Sequence, residues 1–308
     1  MQETISRRAR AVSPDASQGK SLRIVPIIGP SHDRPPYELL RAQTLDRVTV
    51  TELDSAGSVP TLRVRNDLDL PVFLMDGQEL IGAKQNRVLN TDVMVPACST
   101  ITIPVSCVEQ GRWRRLSATF TPGKSASHRT RSAKAKRVHQ SLKQTRSHDA
   151  DQSAVWEEVE KTLAMACVAS PTAALSDAYV AHEKRLTDFR KSLRLPQEAV
   201  GLAVLHRDRV QGIDLFDRHS TLAHFWDVLL DSYGIDLLTE PVDVTQPDAS
   251  AETAAIRELL DRAAGGKWEG FEPPGQGKDW RLEDPNLSGS ALVWSDMVVH
   301  LQLFPKSA

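Results

Sequence analysis

The stretch Thr100-Ile-Thr-Ile-Pro-Val-Ser-Cys-Val108 decides the fold class. In an extended chain Ile101, Ile103, Val105 and Cys107 share one face, with Thr102 and Ser106 on the other. That is the period of a half-buried strand. Pro104 has no N–H for a ladder, which predicts an edge strand or a bulge there. The same parity puts Glu109 on the Cys107 face if the strand runs that far, pointing a carboxylate at the core or at a cleft beside it.

Working outward, Leu62, Val64 and Asn66 alternate with Thr61, Arg63 and Arg65, and Val48–Leu53 also alternates. Leu22–Ile28 and Val72–Met75 are short apolar runs closed by Gly29–Pro30 and by the hairpin-type dipeptide Asp76–Gly77. Asn86–Val95 follows as another strand. Short strands between turn signals predict an antiparallel sandwich or barrel. Downstream, Val155, Trp156, Val159, Leu163 and Ala166 form one helical face. Ser170–Pro171 has the cap and first-turn residues of a helix whose stripe runs from Leu175 through His182 to Leu193. Val200–Leu205 with Val210–Phe216 reads as a hairpin. Leu222–Tyr233 reads as a helix with Gly234 just past its end, and Ala255–Ala263 as another helix. Ala291–Trp294 with Met297–Phe304 closes the chain as a hairpin. The expected class is α+β, with an antiparallel β-sandwich-like N-terminal half and a helix-rich, mixed α+β C-terminal half. The expected division is a disordered tail over 1–20, a β-rich lobe over 21–121, a basic loop or insertion over 122–150, and an α+β lobe over 151–308 packed on the first.

The 308 residues are 40% hydrophobic and 25% charged, enough apolar material for a sizeable core and too much for a disordered chain. No apolar run approaches the ~18 residues of a membrane span. Met1–Lys20 lacks an apolar signal core, and Glu3 and Asp15 break the acid-poor pattern of transit peptides. Cys98, Cys107 and Cys167 are an odd set without CxxC spacing, which argues against a disulfide framework and a thiolate zinc site. The expected location is cytoplasmic. Charge is uneven. Arg112–Arg146 holds eleven Lys/Arg and no acid, whereas Asp236–Asp296 holds thirteen acids and five bases. The basic stretch either meets a polyanion such as nucleic acid, docks on the chain's own acidic half, or lies solvated.

Signatures of nucleophile elbows, zincins, P-loops and dinucleotide folds are absent. Gly275-Gln276-Gly277-Lys278 reads as a turn. His182 reads as a core histidine. His219 and His224 do not share a helical face, and His300 reads as cross-strand packing or a site residue. No metal or cofactor is expected. The most function-like segment is Asp76-Gly-Gln-Glu-Leu-Ile-Gly-Ala-Lys-Gln-Asn-Arg87. Its amides offer paired donors and acceptors, and Lys84 and Arg87 suit phosphate or carboxylate. The plainer reading is a hairpin turn and a polar strand end, with Arg87 paired to Glu109.

Gly77-x-Glu79-Leu80-x-Gly82-Ala83-Lys84-Gln85-Asn86-Arg87 resembles the domain family associated with ADP-ribosylglycohydrolases and rhodanese-phosphatases. So do Ile103-Pro104-Val105-Ser106-Cys107-Val108-Glu109 and Gly111-Arg112-Trp113. Gly212-Ile213-Asp214-Leu215-Phe216 and Leu287-Ser288-Gly289-Ser290 with His300-Leu301 and Phe304 are also similar, so the likeness covers nearly the whole chain after about Arg23. It implies a neighbourhood in ADP-ribose or phosphate-linked metabolism and no particular reaction. Three expectations follow. One is a nucleotide or ADP-ribose-like ligand bound through Glu79, Lys84, Gln85, Asn86 and Arg87 with Glu109 and Trp113 beside them. Another is a hydrolase of the same ligand class with Glu79 and Glu109 as acid and base. The third is a nucleic-acid or protein adaptor working through Arg112–Arg146.

Overall fold

Alternating apolar residues become strand wherever the sequence shows them, and the computed structural model describes residues 1–10, 12, 18–19, 22–32, 35–53, 60–112, 114–237 and 248–306. In chain order the strands are β1 (Gln18–Gly19), β2 (Leu22–Ile28), β3 (Glu38–Leu39), β4 (Val48–Glu52), β5 (Thr61–Asn66), β6 (Val72–Leu74), β7 (Gln78–Gly82), β8 (Arg87–Leu89) and β9 (Val93–Val95). Then come β10 (Ser99–Cys107), β11 (Phe120–Ser125), β12 (Ala199–His206), β13 (Arg209–Phe216), β14 (Lys267–Phe271), β15 (Lys278–Glu283), β16 (Leu287–Trp294) and β17 (Met297–Pro305). The helices are α1 (Gln2–Arg10), α2 (His128–Thr145), α3 (Gln152–Met165), α4 (Leu175–Ala181), α5 (Glu183–Lys191), α6 (His219–Leu237) and α7 (Ala249–Gly265). The class is α+β. No helix among the described residues is long and apolar enough to cross a membrane.

The chain forms two compact units, and both differ from the boundaries expected at 121 and 151. One, the barrel unit, is Pro35–Glu183 with Phe271–Gly277. The other, the sheet unit, is Met1–Arg34, Lys184–Gly270 and Lys278–Ala308.

In the barrel unit, β10, β5, β4, β11, β7 and β8 close into a barrel, with β3, β6 and β9 as a separate small sheet. Leu62, Val64, Leu80, Leu89, Ile103, Val105 and Phe120 are among the buried side chains that fill it. Closure removes the edge that Pro104 was expected to mark. Instead β10 pairs with β5 through Pro104 and with β8 from Val105, so the missing N–H falls at the change of partner. Asp76–Gly77 does turn the chain, but it links β6 and β7, which belong to different sheets. The hairpin lies one strand later, where Glu79 faces Val88 and Leu80 faces Arg87.

The stretch expected as a basic loop or partly helical insertion forms the end of β11 and the helix α2. Ser127 caps α2 by accepting from the Thr130 N–H. Arg131 and Lys134 lie on its buried face. Lys134 pairs with Asp76, both out of water, and also donates to the Asn90 carbonyl at 3.1 Å. The helix expected from Leu175 to Leu193 is two helices broken at His182, whose ring bonds the Ala166 carbonyl. Ser170 accepts from the Ala174 N–H without starting a helix there.

The sheet unit carries eight strands in the order β1-β2-β12-β13-β17-β16-β15-β14. Gln2–Arg10, expected within a disordered tail, is helix α1. Its Ile5 joins Ile256 and Leu260 of α7 against Val25, Ala203, Ile213, Leu301 and Leu303. The α6 helix runs past Gly234 to a buried Leu237, so that glycine is inside the helix and not at its cap.

Removing one partner of a buried ion pair leaves an uncompensated charge. Lys134→Met is therefore expected to lower unfolding stability by about 3–5 kcal/mol. Adding Asp76→Leu to that variant recovers most of the loss in urea unfolding. A double variant no more stable than the single one contradicts this account of how α2 docks.

Candidate functional site

Three strands and the loop between two of them carry most of the predicted residues. Strand β7 supplies Glu79, and the loop to β8 supplies Lys84, Gln85 and Asn86. Arg87 opens β8, and Glu109 follows the end of β10 at Cys107. Because β10 stops there, parity does not orient Glu109, and side-chain bonds do. Its carboxylate accepts from the Asn86 N–H at 3.1 Å, from Arg112 Nε at 2.8 Å and from Thr172 at 3.2 Å. The charge partner of Glu109 is thus Arg112 at 2.6 Å and not Arg87.

Asn86 joins the two carboxyl groups. Its side-chain oxygen accepts from Arg112 Nη2 at 3.0 Å and from the Gly82 N–H at 3.3 Å. That fixes its amide nitrogen toward Glu79 Oε1, to which it donates at 3.3 Å. Arg112 also donates to the Ala83 carbonyl at 2.9 Å, locking the β7–β8 loop. Gln85 donates to the Glu109 carbonyl at 2.9 Å and accepts from Arg87 at 3.0 Å.

Glu79 is the chemically unusual member. It is 0% exposed, and its Oε2 has no hydrogen-bond partner. Burial pushes its pKa up to about 7. The Asn86 amide opposes the rise, the charge of Glu109 adds to it, and the backbone and ammonium of Lys124 oppose it again. Lys124 was not among the residues singled out from sequence.

The other predicted residues divide. Lys84 is half-buried. Arg87 is buried on the barrel-facing side, in register with Leu80 and Cys107, away from the Glu79 face. Trp113 lies outside the described residues. In the basic stretch, Arg112, Arg131 and Lys134 turn inward, whereas Arg114, Arg115, Arg137, Lys143 and Arg146 are exposed. Among the described residues no group of three or more His, Cys, Asp or Glu is placed to hold a metal ion.

A second buried polar cluster lies in the sheet unit. Tyr233 donates to Asp214 at 2.9 Å, His300 Nε2 sits 3.3 Å from the other Asp214 oxygen, and Phe216 stacks on His300 at 4.5 Å. Sequence alternation placed His300 opposite its apolar neighbours but did not reveal Asp214 or Tyr233 as its company.

A family model described as the ARG and rhodanese-phosphatase-superfamily-associated protein domain matches residues 12–304, and the chain belongs to that family. No curated protein and no solved structure matches the chain.

A carboxyl whose pKa rises on folding contributes stability below its unfolded value near 4.5, and that contribution is lost as pH rises through about 7. Ionised Glu79 then costs the fold about 3 kcal/mol. Glu79→Gln is expected to leave stability at pH 4 nearly unchanged and to raise it at pH 8. Urea unfolding across that range tests this, and identical pH profiles for both proteins contradict it.

Proposed function

We propose that the Glu79–Asn86–Glu109 centre binds a nucleotide or ADP-ribose-like ligand through its ribose hydroxyls. The observation that carries this reading is the Glu79 carboxyl, wholly buried with one oxygen unpartnered. A buried polar atom without a partner costs free energy that a ligand hydroxyl recovers. Glu79 with its pKa near 7 either accepts from or donates to such a hydroxyl, and Asn86 holds it in place. Family membership is consistent with this ligand class by name alone. Isothermal titration of the whole chain with ADP-ribose, NAD and simple nucleotides is expected to show binding to at least one. Glu79→Gln then weakens it by about tenfold. Folded protein that gives no heat with any of them ends the proposal.

A second reading, hydrolysis of the same ligand class, is favoured by the unlike settings of the two carboxyl groups. Glu79 is pushed toward its neutral form, and Glu109 is ion-paired to Arg112, yet both bond the same asparagine. Unlike environments assign acid and base roles. Glu79 as general acid predicts a rate that falls as pH rises above about 7, and a Glu79→Gln loss of about 100-fold or more in kcat. Binding without turnover of any ADP-ribosyl ester or glycoside leaves the first reading standing and removes the second.

A further inference from the structure

We propose that Lys124 is the phosphate-binding cation of the Glu79 centre and that Glu183 competes with the ligand for it. This rests on the reading of that centre as a nucleotide site and names the part of the ligand recognised beside the ribose.

The register of β11 on β7 carries the argument. Pro122 faces Leu80 and Ser125 faces Gln78, so three steps along β11 match two along β7. The extra residue is a bulge at Gly123–Lys124, opposite Glu79. Bulges re-aim side chains and interrupt pairing beside sites. A Cβ placed on Gly123 would lie 3.1 Å from Glu79 Oε2 and 2.5 Å from Ile81 Cδ1. With no side chain at 123, the buried oxygen is bordered on that side by Ile81, a large apolar side chain that is itself exposed. The next residue along the bulge is Lys124.

Two arginines near the centre are held by other groups. Arg112 is tied to Glu109, to Asn86 and to the carbonyls of Gly82, Ala83 and Arg114. Arg87 is on the opposite face with Gln85. Lys124 Nζ meets Glu183 Oε2 at a loose 3.4 Å, with both side chains partly in water. An exposed pair of that kind is weak. A diphosphate carries two negative charges and more acceptor oxygens than one carboxylate, and so competes with it for an ammonium. Glu183 thus holds Lys124 near the bulge in the free protein and sets the affinity for the anion.

Isothermal titration of the full chain with ADP-ribose distinguishes the outcomes, with melting temperature confirming that each variant folds. Lys124→Met is expected to weaken binding by about tenfold or more, and Lys124→Arg to stay within about threefold of wild type. Glu183→Gln is expected to tighten binding severalfold, and added salt to weaken wild type more than Lys124→Met. Wild type that binds with Lys124→Met unchanged, or with Glu183→Gln weakened, overturns this assignment while leaving the ribose reading intact. Wild type that binds no phosphorylated nucleotide overturns both.

Discussion

A carboxyl group taken out of water must be neutral, paired or hydrogen-bonded, and the barrel unit is arranged around that demand. Period-two alternation puts Leu80 inside the barrel and therefore Glu79 outside it, where other elements then cover it. Asp76 is met by Lys134 and Glu109 by Arg112, and Asp92 accepts from the Asp76 N–H at 2.7 Å. Asn90 spends its side chain on Ser106 and on the His148 carbonyl. Glu79 differs in having a buried oxygen with no hydrogen-bond partner among the described residues. Its pKa, raised to about 7 by burial, is the physical consequence.

The same demand explains the basic stretch. Charge without apolar residues reads in sequence as a solvated loop or a polyanion surface. In the structure two of its cations, Arg131 and Lys134, cover the outside of the barrel, with Lys134 on Asp76. Hydrophobic periodicity cannot register a buried face that includes arginine and lysine, so the stretch read only as a loop or partly helical insertion and the extent of α2 was not legible. Strand β11 was hidden for a related reason. Pro122 and Gly123 are strand breakers, and the segment is strand because the barrel closes through it between β4 and β7.

What was legible followed from local period and chemistry. The faces of β5 and of the first part of β10 obey alternation, and the hairpins β12–β13 and β16–β17 lie where apolar runs flank turn residues. Glu79, Gln85, Asn86 and Glu109 were identifiable as a polar group without an apolar reason to exist, and they do meet. Their pairing was not readable. It depends on Arg112 crossing from one loop to another, and on where β10 ends. A strand two residues longer would have aimed Glu109 by parity. Because it stops at Cys107, Arg112, three residues past Glu109, aims it instead.

The second set of family-like motifs, around Gly212–Phe216 and His300, answers to packing in the sheet unit. A Cβ on Gly212 would sit 2.3 Å from the Tyr233 hydroxyl, so that hydroxyl reaches Asp214 only because residue 212 has no side chain. Asp214 is then shared between Tyr233 and His300, and Phe216 lies flat on the imidazole. Gln302, facing Asp214 across the strands, turns its amide to Ser290 at 2.8 Å. Each of these residues bonds another within the same sheet and helix. Glu79, by contrast, keeps an oxygen with no side-chain partner among the described residues. That difference, more than likeness of sequence, separates a polar cluster that holds a fold together from one that has room for a ligand.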